Sequence, residues 1–190
     1  MKQLPLLDKK SRKAKSIHGG LDSRGKRKGA RPFAPRAWIH IVLKSEKAKG
    51  SMSFLTAKNQ IWIKAQMDEM ARRFHVSVGD YANVGNHLHL KVRAAQQGYF
   101  KRFLRGLTGR IAAHVTGARK GKKFGRFWQG LAYTRILKSS FEELRLRGYF
   151  EANRQEAAQG QAGRENFLRA FNTWLRRLRD KGKSPPVAWV

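Results

Sequence analysis

His87 and His89 stand two residues apart in the run Asn86-His87-Leu88-His89-Leu90. Sixty residues beyond His89 comes a second run, Tyr149-Phe150-Glu151-Ala152-Asn153. Side chains alternate across a strand, so both imidazoles would share one face, leaving Leu88, Leu90 and Val92 the other. Two neutral imidazoles side by side can hold one divalent cation. Tyr149 and Asn153 are four apart, hence one turn apart on the same side of a helix. The two runs thus offer two nitrogen donors, an amide oxygen and a phenol. A metal beside a tyrosine points to phosphodiester chemistry.

The rest of the chain names a partner class. Its 190 residues carry 42 Lys+Arg against 12 Asp+Glu, a formal charge of +30. Such a field attracts polyanions, and release of condensed counterions makes nucleic acid the natural partner. An anionic membrane would respond to the same charge. However, the basic residues are scattered over several segments and no helix is built to lie on lipid. Charge by itself favours a ribosomal-type basic protein over an enzyme. There is no cysteine, which excludes disulfide staples, zinc knuckles and thiol catalysis. The first residues hold too short an apolar run for a signal peptide. No stretch approaches the roughly 18 apolar residues that span a bilayer. A cytoplasmic, nucleoid-associated protein is expected.

The elements that must position the two runs can be read from periodicity. Residues 1–35 are mostly Lys, Arg, Gly and Ser, with Lys26-Arg27-Lys28 in the middle; they read as a flexible basic arm. Residues 36–158 form the domain, and 159–190 a linker with a C-terminal helix. A first strand covers 38–43. Ser51 or Ser53 can cap a helix running to about residue 74, with Ile63, Met67, Met70 and Phe74 on its buried stripe. Two strands, 76–84 and 87–93, turn at Gly85-Asn86 as a hairpin. A second helix covers 97–116, with Phe100, Leu104, Leu107, Ile111 and Val115 inward. Residues 127–137 read as a further strand.

The tyrosine helix covers 141–157, capped by Ser139 or Ser140 with Glu142 and Glu143 in its first turn. A small-residue linker, 155–163, precedes an amphipathic helix over 164–181 that Pro185-Pro186 ends. The order strand, helix, strand, strand, helix, strand is that of a ferredoxin-like α+β unit. Its antiparallel sheet would carry helices on one face, with the tyrosine-bearing and C-terminal helices added. If Ile39, Ile41, Leu43, Leu88, Leu90 and Val92 face the helices, His87 and His89 lie on the open face. His40 shares that face and reads as a surface histidine, with contact to the pair as the alternative. His75 and His114 fall near helix ends, where the C-terminal dipole accounts for them.

His-hydrophobic-His, the preceding Asn86, the Phe127-Trp128-Gln129 segment and Tyr149-x-x-x-Asn153 occur here in one order. In that order they resemble the single-tyrosine HUH transposases of bacterial insertion sequences, closest to the REP-associated tyrosine transposases, over roughly residues 35–158. The resemblance implies the ferredoxin-like fold and a metal site of His87, His89 and Asn153 holding Mg²⁺ or Mn²⁺. It implies Tyr149 as nucleophile in cleavage and rejoining of single-stranded, hairpin-forming DNA, through a 5′-phosphotyrosine link and a free 3′-hydroxyl. A homodimer is compatible with it. Relatives often carry proline where Arg154 follows Asn153, and arginine where Gly130 stands; substrate geometry is where those departures would act.

A free phenol titrates near pH 10 and is a weak nucleophile at neutral pH, which is why a cation on the phosphate helps. DNA contact is expected from the basic loop Arg119, Lys120, Lys122, Lys123 and Arg126, which lacks the spacing of a nucleotide-binding P-loop. The arm and Arg164, Arg169, Arg176, Arg177 and Arg179 of the last helix would add phosphate contacts. Phe127 and Trp128 read as core. The competing function is a non-catalytic nucleic-acid binder, ribosome-associated or an inactivated transposase. A replication initiator or relaxase shares the HUH plan, but relaxases place the tyrosine before the histidines.

Overall fold

The computed structural model describes residues 16–20 and 29–180. Lys26-Arg27-Lys28, most of the expected arm and Pro185-Pro186 lie outside those residues. The elements run β1 (Ile17–His18), β2 (Ile39–Lys44), α1 (Ala57–Arg73), β3 (Val76–Asn83), β4 (His87–Ala94), α2 (Gln97–Thr116), β5 (Tyr133–Ile136) and α3 (Ser140–Asp180). A short 3₁₀ turn, Gly50–Met52, precedes α1.

The sheet is antiparallel, ordered β1-β5-β2-β4-β3. Without the two-residue edge strand β1, this is the ferredoxin-like order, and the fold is α+β as expected. The central pair fixes the faces. Ile39, Ile41 and Leu43 sit opposite Val92, Leu90 and Leu88, and all six are at most 2 % exposed. They pack with Ile63, Met67 and Met70 of α1 and Phe100, Phe103, Leu107 and Ile111 of α2. Burial of each such side chain is worth about 1.5–3 kcal/mol. A one-residue slip of β4 would exchange these apolar groups for imidazoles, so the register is strongly determined.

Several boundaries differ from the sequence expectation. Helix α1 begins later, with Thr56 as its cap accepting from the Asn59 amide; the Ser53 hydroxyl instead accepts from Leu55 N at 3.2 Å. The last strand is only Tyr133–Ile136. Phe127 and Trp128 precede it in a loop, where Phe127 is buried and the Trp128 indole N–H donates to Thr108 O at 3.0 Å. Both belong to the core. Within the expected arm, Ile17–His18 pairs with β5, and the Arg31 guanidinium donates to Ala132 O and Thr134 Oγ1 at 2.8 and 2.7 Å.

The expected 155–163 linker is helical as well. Ser139 does cap the tyrosine helix, its hydroxyl accepting from Glu142 N at 3.2 Å. Helical backbone then runs through to Asp180, broken only at Gly160, whose φ of 73° suits glycine. The break turns the second half of α3 back on the first, so the Phe171 ring lies over Gly148. A Cβ built on Gly148 would stand 2.1 Å from Phe171 Cε1.

That contact sets the sign of a substitution. Alanine for glycine inside a helix ordinarily stabilises by about 0.8–1 kcal/mol. Here Gly148→Ala is expected to destabilise by about 1–3 kcal/mol, because the ring must move. Its denaturation midpoint should fall; a rise would mean that the two halves of α3 do not pack.

Candidate active site

Strand β4 presents His87 and His89 on the face opposite the helices, as the alternation requires. Val42 lies directly across from His89 and Lys44 across from His87, while His40 is diagonal to His89, within reach for a side-chain pair. His40 is 9 % exposed and shares a 3.2 Å hydrogen bond between its Nε2 and His89 Nδ1. It is no surface histidine. Burial under α3 decides this, and a local pattern cannot show it. His114 is likewise more than a helix-end residue, lying flat on Trp62 with ring centroids 3.9 Å apart.

The tyrosine helix closes over the imidazoles. The Tyr149 ring meets His89 edge-on, with centroids 5.2 Å apart, and His87 and His89 are 4.8 Å apart. Phe150 packs on the other side of His40 and His89, at 5.6 and 5.9 Å. Three ion pairs hold the helix in place. Arg135 pairs with Glu142 at 2.8 Å and Lys91 with Glu143 at 2.7 Å, tying its first turn to β5 and β4. Five residues after Tyr149, Arg154 pairs with Asp80 and donates to Tyr81 O, tying the helix to β3. Arg154 is therefore a strap between the tyrosine helix and β3.

The imidazole nitrogens are allotted. Asn86 Oδ1 can only accept, so His87 Nδ1–H donates to it at 2.6 Å, and Nε2 keeps its lone pair. With Nδ1 engaged by His40, His89 Nε2 is buried without a partner. Two free imidazole nitrogens with their other ring nitrogens held are what a metal-binding histidine pair needs. The third expected donor stands differently. Asn153 is 1 % exposed and its Oδ1 accepts from the Arg164 guanidinium, while its Nδ2 has no partner. Arg164 also pairs with Glu156 at 2.8 Å and lies 5.4 Å over the Tyr149 ring. Among the described residues no three His, Cys, Asp or Glu side chains gather around one point. A third protein ligand would have to be an amide, hydroxyl or carbonyl oxygen.

Burial keeps these imidazoles neutral. It lowers His89 to about 2 and His40 to about 4, helped at His89 by His40, His87 and Arg164 and at His40 by Arg135. His87 is lowered chiefly by burial, with Lys44 and Arg164 adding and Glu156 opposing. The three histidines and Tyr149 line a cleft of about 700 Å³ that also takes in Lys44, Trp128, Gln129 and Arg31. The basic loop 119–126 is exposed as expected, with Arg119 N donating to Lys122 O at 3.0 Å. No described helix is long and apolar enough to cross a membrane.

No family model matches the chain, and no curated sequence matches it either. Solved structures do. A REP-associated tyrosine transposase bound to a REP hairpin superposes with a TM-score of 0.50, at 10% identity, over 67% of this chain and 72% of that one. The two share a fold over the aligned part. A candidate transposase from Deinococcus radiodurans R1 aligns over 67% of this chain and 98% of its own, at 16% identity and a TM-score of 0.43. At such identities the transposase likeness is one of fold, and the site rests on its own geometry.

The histidines make stability depend on acid. Each is neutral in the fold and protonates near pH 6.5 when the chain unfolds, so the unfolded state binds more protons below that pH. Their contribution is whole above about 6.5 and falls with pH below it, by about 1.4 kcal/mol per pH unit each for His40 and His89 as pH drops toward about 4, where His40 titrates. The urea midpoint should fall from pH 7 to pH 5, and less steeply in His40→Gln. A flat profile would contradict this.

Proposed function

We propose that the protein is a metal-dependent single-stranded DNA transposase or endonuclease that cleaves and rejoins DNA through Tyr149. The observation that carries the reading is the Tyr149 ring resting on His89, beside His87, in a cleft whose lining includes Lys44 and Arg31 but no acidic side chain. His87 Nε2 and His89 Nε2 would hold the cation, Mg²⁺ or Mn²⁺, with Asn153 as the expected third donor. When bound, the cation neutralises charge on the non-bridging phosphate oxygens and helps set the line of attack.

The chain's own groups do the rest. Tyr149 Oη attacks the phosphorus, the P–O3′ bond breaks, and the new bond is a 5′-phosphotyrosine. The phenol gives up one proton and the departing 3′ oxygen takes one, so the bond energy is kept and no ATP is needed. Attack of a 3′-hydroxyl on the phosphotyrosine reverses the step and joins strands. Lys44 and Arg164 bring positive charge to the place where the phosphate would arrive. Asp80, Glu142 and Glu143, through their basic partners, keep the tyrosine helix from sliding; near-attack geometry is worth several kcal/mol of barrier. Hairpin-forming DNA is the expected substrate, as in the REP-hairpin complex named above.

A second reading, a DNA binder without catalysis, draws on Arg164, which occupies the Asn153 oxygen. Incubation with a labelled single-stranded hairpin and Mn²⁺ separates the two. A covalent protein–DNA band is expected that disappears with chelator and in Tyr149→Phe. His87→Ala should lower cleavage by at least about 10²-fold, as loss of a transition-state interaction does, while binding stays within about twofold. Salt-sensitive binding with no adduct would favour the binder.

A further inference from the structure

The cleft does not end at the histidines. Strand β5 starts only at Tyr133, opposite Val42, so beside Leu43 and Lys44 the neighbour of β2 is the loop 128–132 rather than a strand. The loop is tied to β2 by Gln129 N donating to Lys44 O at 2.8 Å. The cavity lining combines His87, His89 and Tyr149, on the face that α3 covers, with Arg31 and with Lys101 and Arg105 of α2. Trp128 and Tyr133 line it too.

Arg31 is the unusual group. Burial lowers its pKa, and among the described residues its partners are two neutral oxygens, of Ala132 and Thr134, both on Nη1. Among the described residues no carboxylate pairs with Arg31, Lys101 or Arg105, and no acidic side chain lines the cleft. A partly buried guanidinium without a counter-charge is unfavourable until an anion joins it. Its planar donor fork is suited to a phosphate. Two exposed basic side chains on successive turns of α2 face the same space and extend the site along a line. A volume of about 700 Å³ is that of a small-ligand pocket.

We infer that Arg31, with Lys101 and Arg105, forms a phosphate subsite that grips the sugar–phosphate backbone of a single strand as it leaves the His87–His89–Tyr149 centre along the same cleft. The inference rests on the proposed function for the direction of the strand, but the subsite stands on its own charge and geometry. It holds a phosphodiester beside the one under attack. Trp128 and Tyr133 wall the path without reading the base.

The test uses the full-length protein and a labelled unstructured single-stranded oligonucleotide without divalent metal, measuring Kd across a salt series. Arg31→Gln keeps a hydrogen-bond donor and removes the charge. Its Kd is expected to weaken about tenfold, and the slope of log K against log salt to fall by about 0.7, the value for one single-strand phosphate contact. Arg31→Lys should keep the slope. One neutral methylphosphonate linkage should weaken binding to the wild type and leave Arg31→Gln unaffected. Unchanged Kd and slope in a natively folded Arg31→Gln would overturn the subsite.

If that variant does not fold, Lys101→Ala/Arg105→Ala decides by the same slope, since both side chains are exposed. The hairpin adduct assay, run in parallel, reports on Tyr149 separately. No adduct with a lowered slope would sink the catalytic reading and keep the subsite. An adduct with an unchanged slope would do the reverse.

Discussion

The hydrogen bond between His40 and His89 determines which imidazole nitrogen faces the cleft, and the site is built outward from it. It joins two rings on a sheet face covered by α3, where neither can be charged near neutrality. When His89 Nδ1 donates to His40, the lone pair of His89 Nε2 is left free, matching the one that Asn86 leaves free on His87. The opposite tautomer would point an N–H at the same space and spoil a cation site. The pair exists because β2 and β4 are registered with Val42 across from His89. That register is enforced from the other face, by six apolar residues that a slip would expose.

Tyr149 is positioned by buried apolar neighbours on its own helix, Phe150 and Leu146, and by charge. Its own cluster, Ala82, Leu137, Leu146 and Phe150 with Trp38, is small. Ion pairs at both ends of the helix do much of the placing. Each such part-exposed pair is worth at most about 1 kcal/mol. Together they restrict where the helix can slide, as the proposed in-line attack by the phenol would require. Arg154 straps the helix to β3, and the chain continues helically to Gly160 and returns. That return delivers Arg164 to Tyr149, Asn153 and Glu156. One helix thus carries the Tyr149 phenol, the Asn153 amide and the guanidinium that caps the amide.

Much of this was legible in the sequence because it depends on short periods. The alternation in 87–92, the Gly85-Asn86 turn and the apolar stripes of α1 and α2 placed the sheet, its helices and the outward imidazoles. What was not legible depends on distant contacts. His40 looked like a surface residue because nothing near it in sequence shows that a helix a hundred residues later covers it. The 155–163 stretch looked like a linker because glycine and alanine disfavour no single reading, and only Gly160 has left-handed backbone. Ile17–His18 is too short a strand for any alternation to show, and its basic surroundings read as an arm. Arg164 was visible only as one more basic residue on an amphipathic helix.

The most direct test of the central claim is pulsed electron paramagnetic resonance of the protein loaded with Mn²⁺. Nitrogen couplings from two imidazoles are expected, one of which disappears in His87→Ala, with the remaining coupling lost in His87→Ala/His89→Ala. Mn²⁺ that binds without any nitrogen coupling, or with couplings unchanged in both variants, would contradict the account.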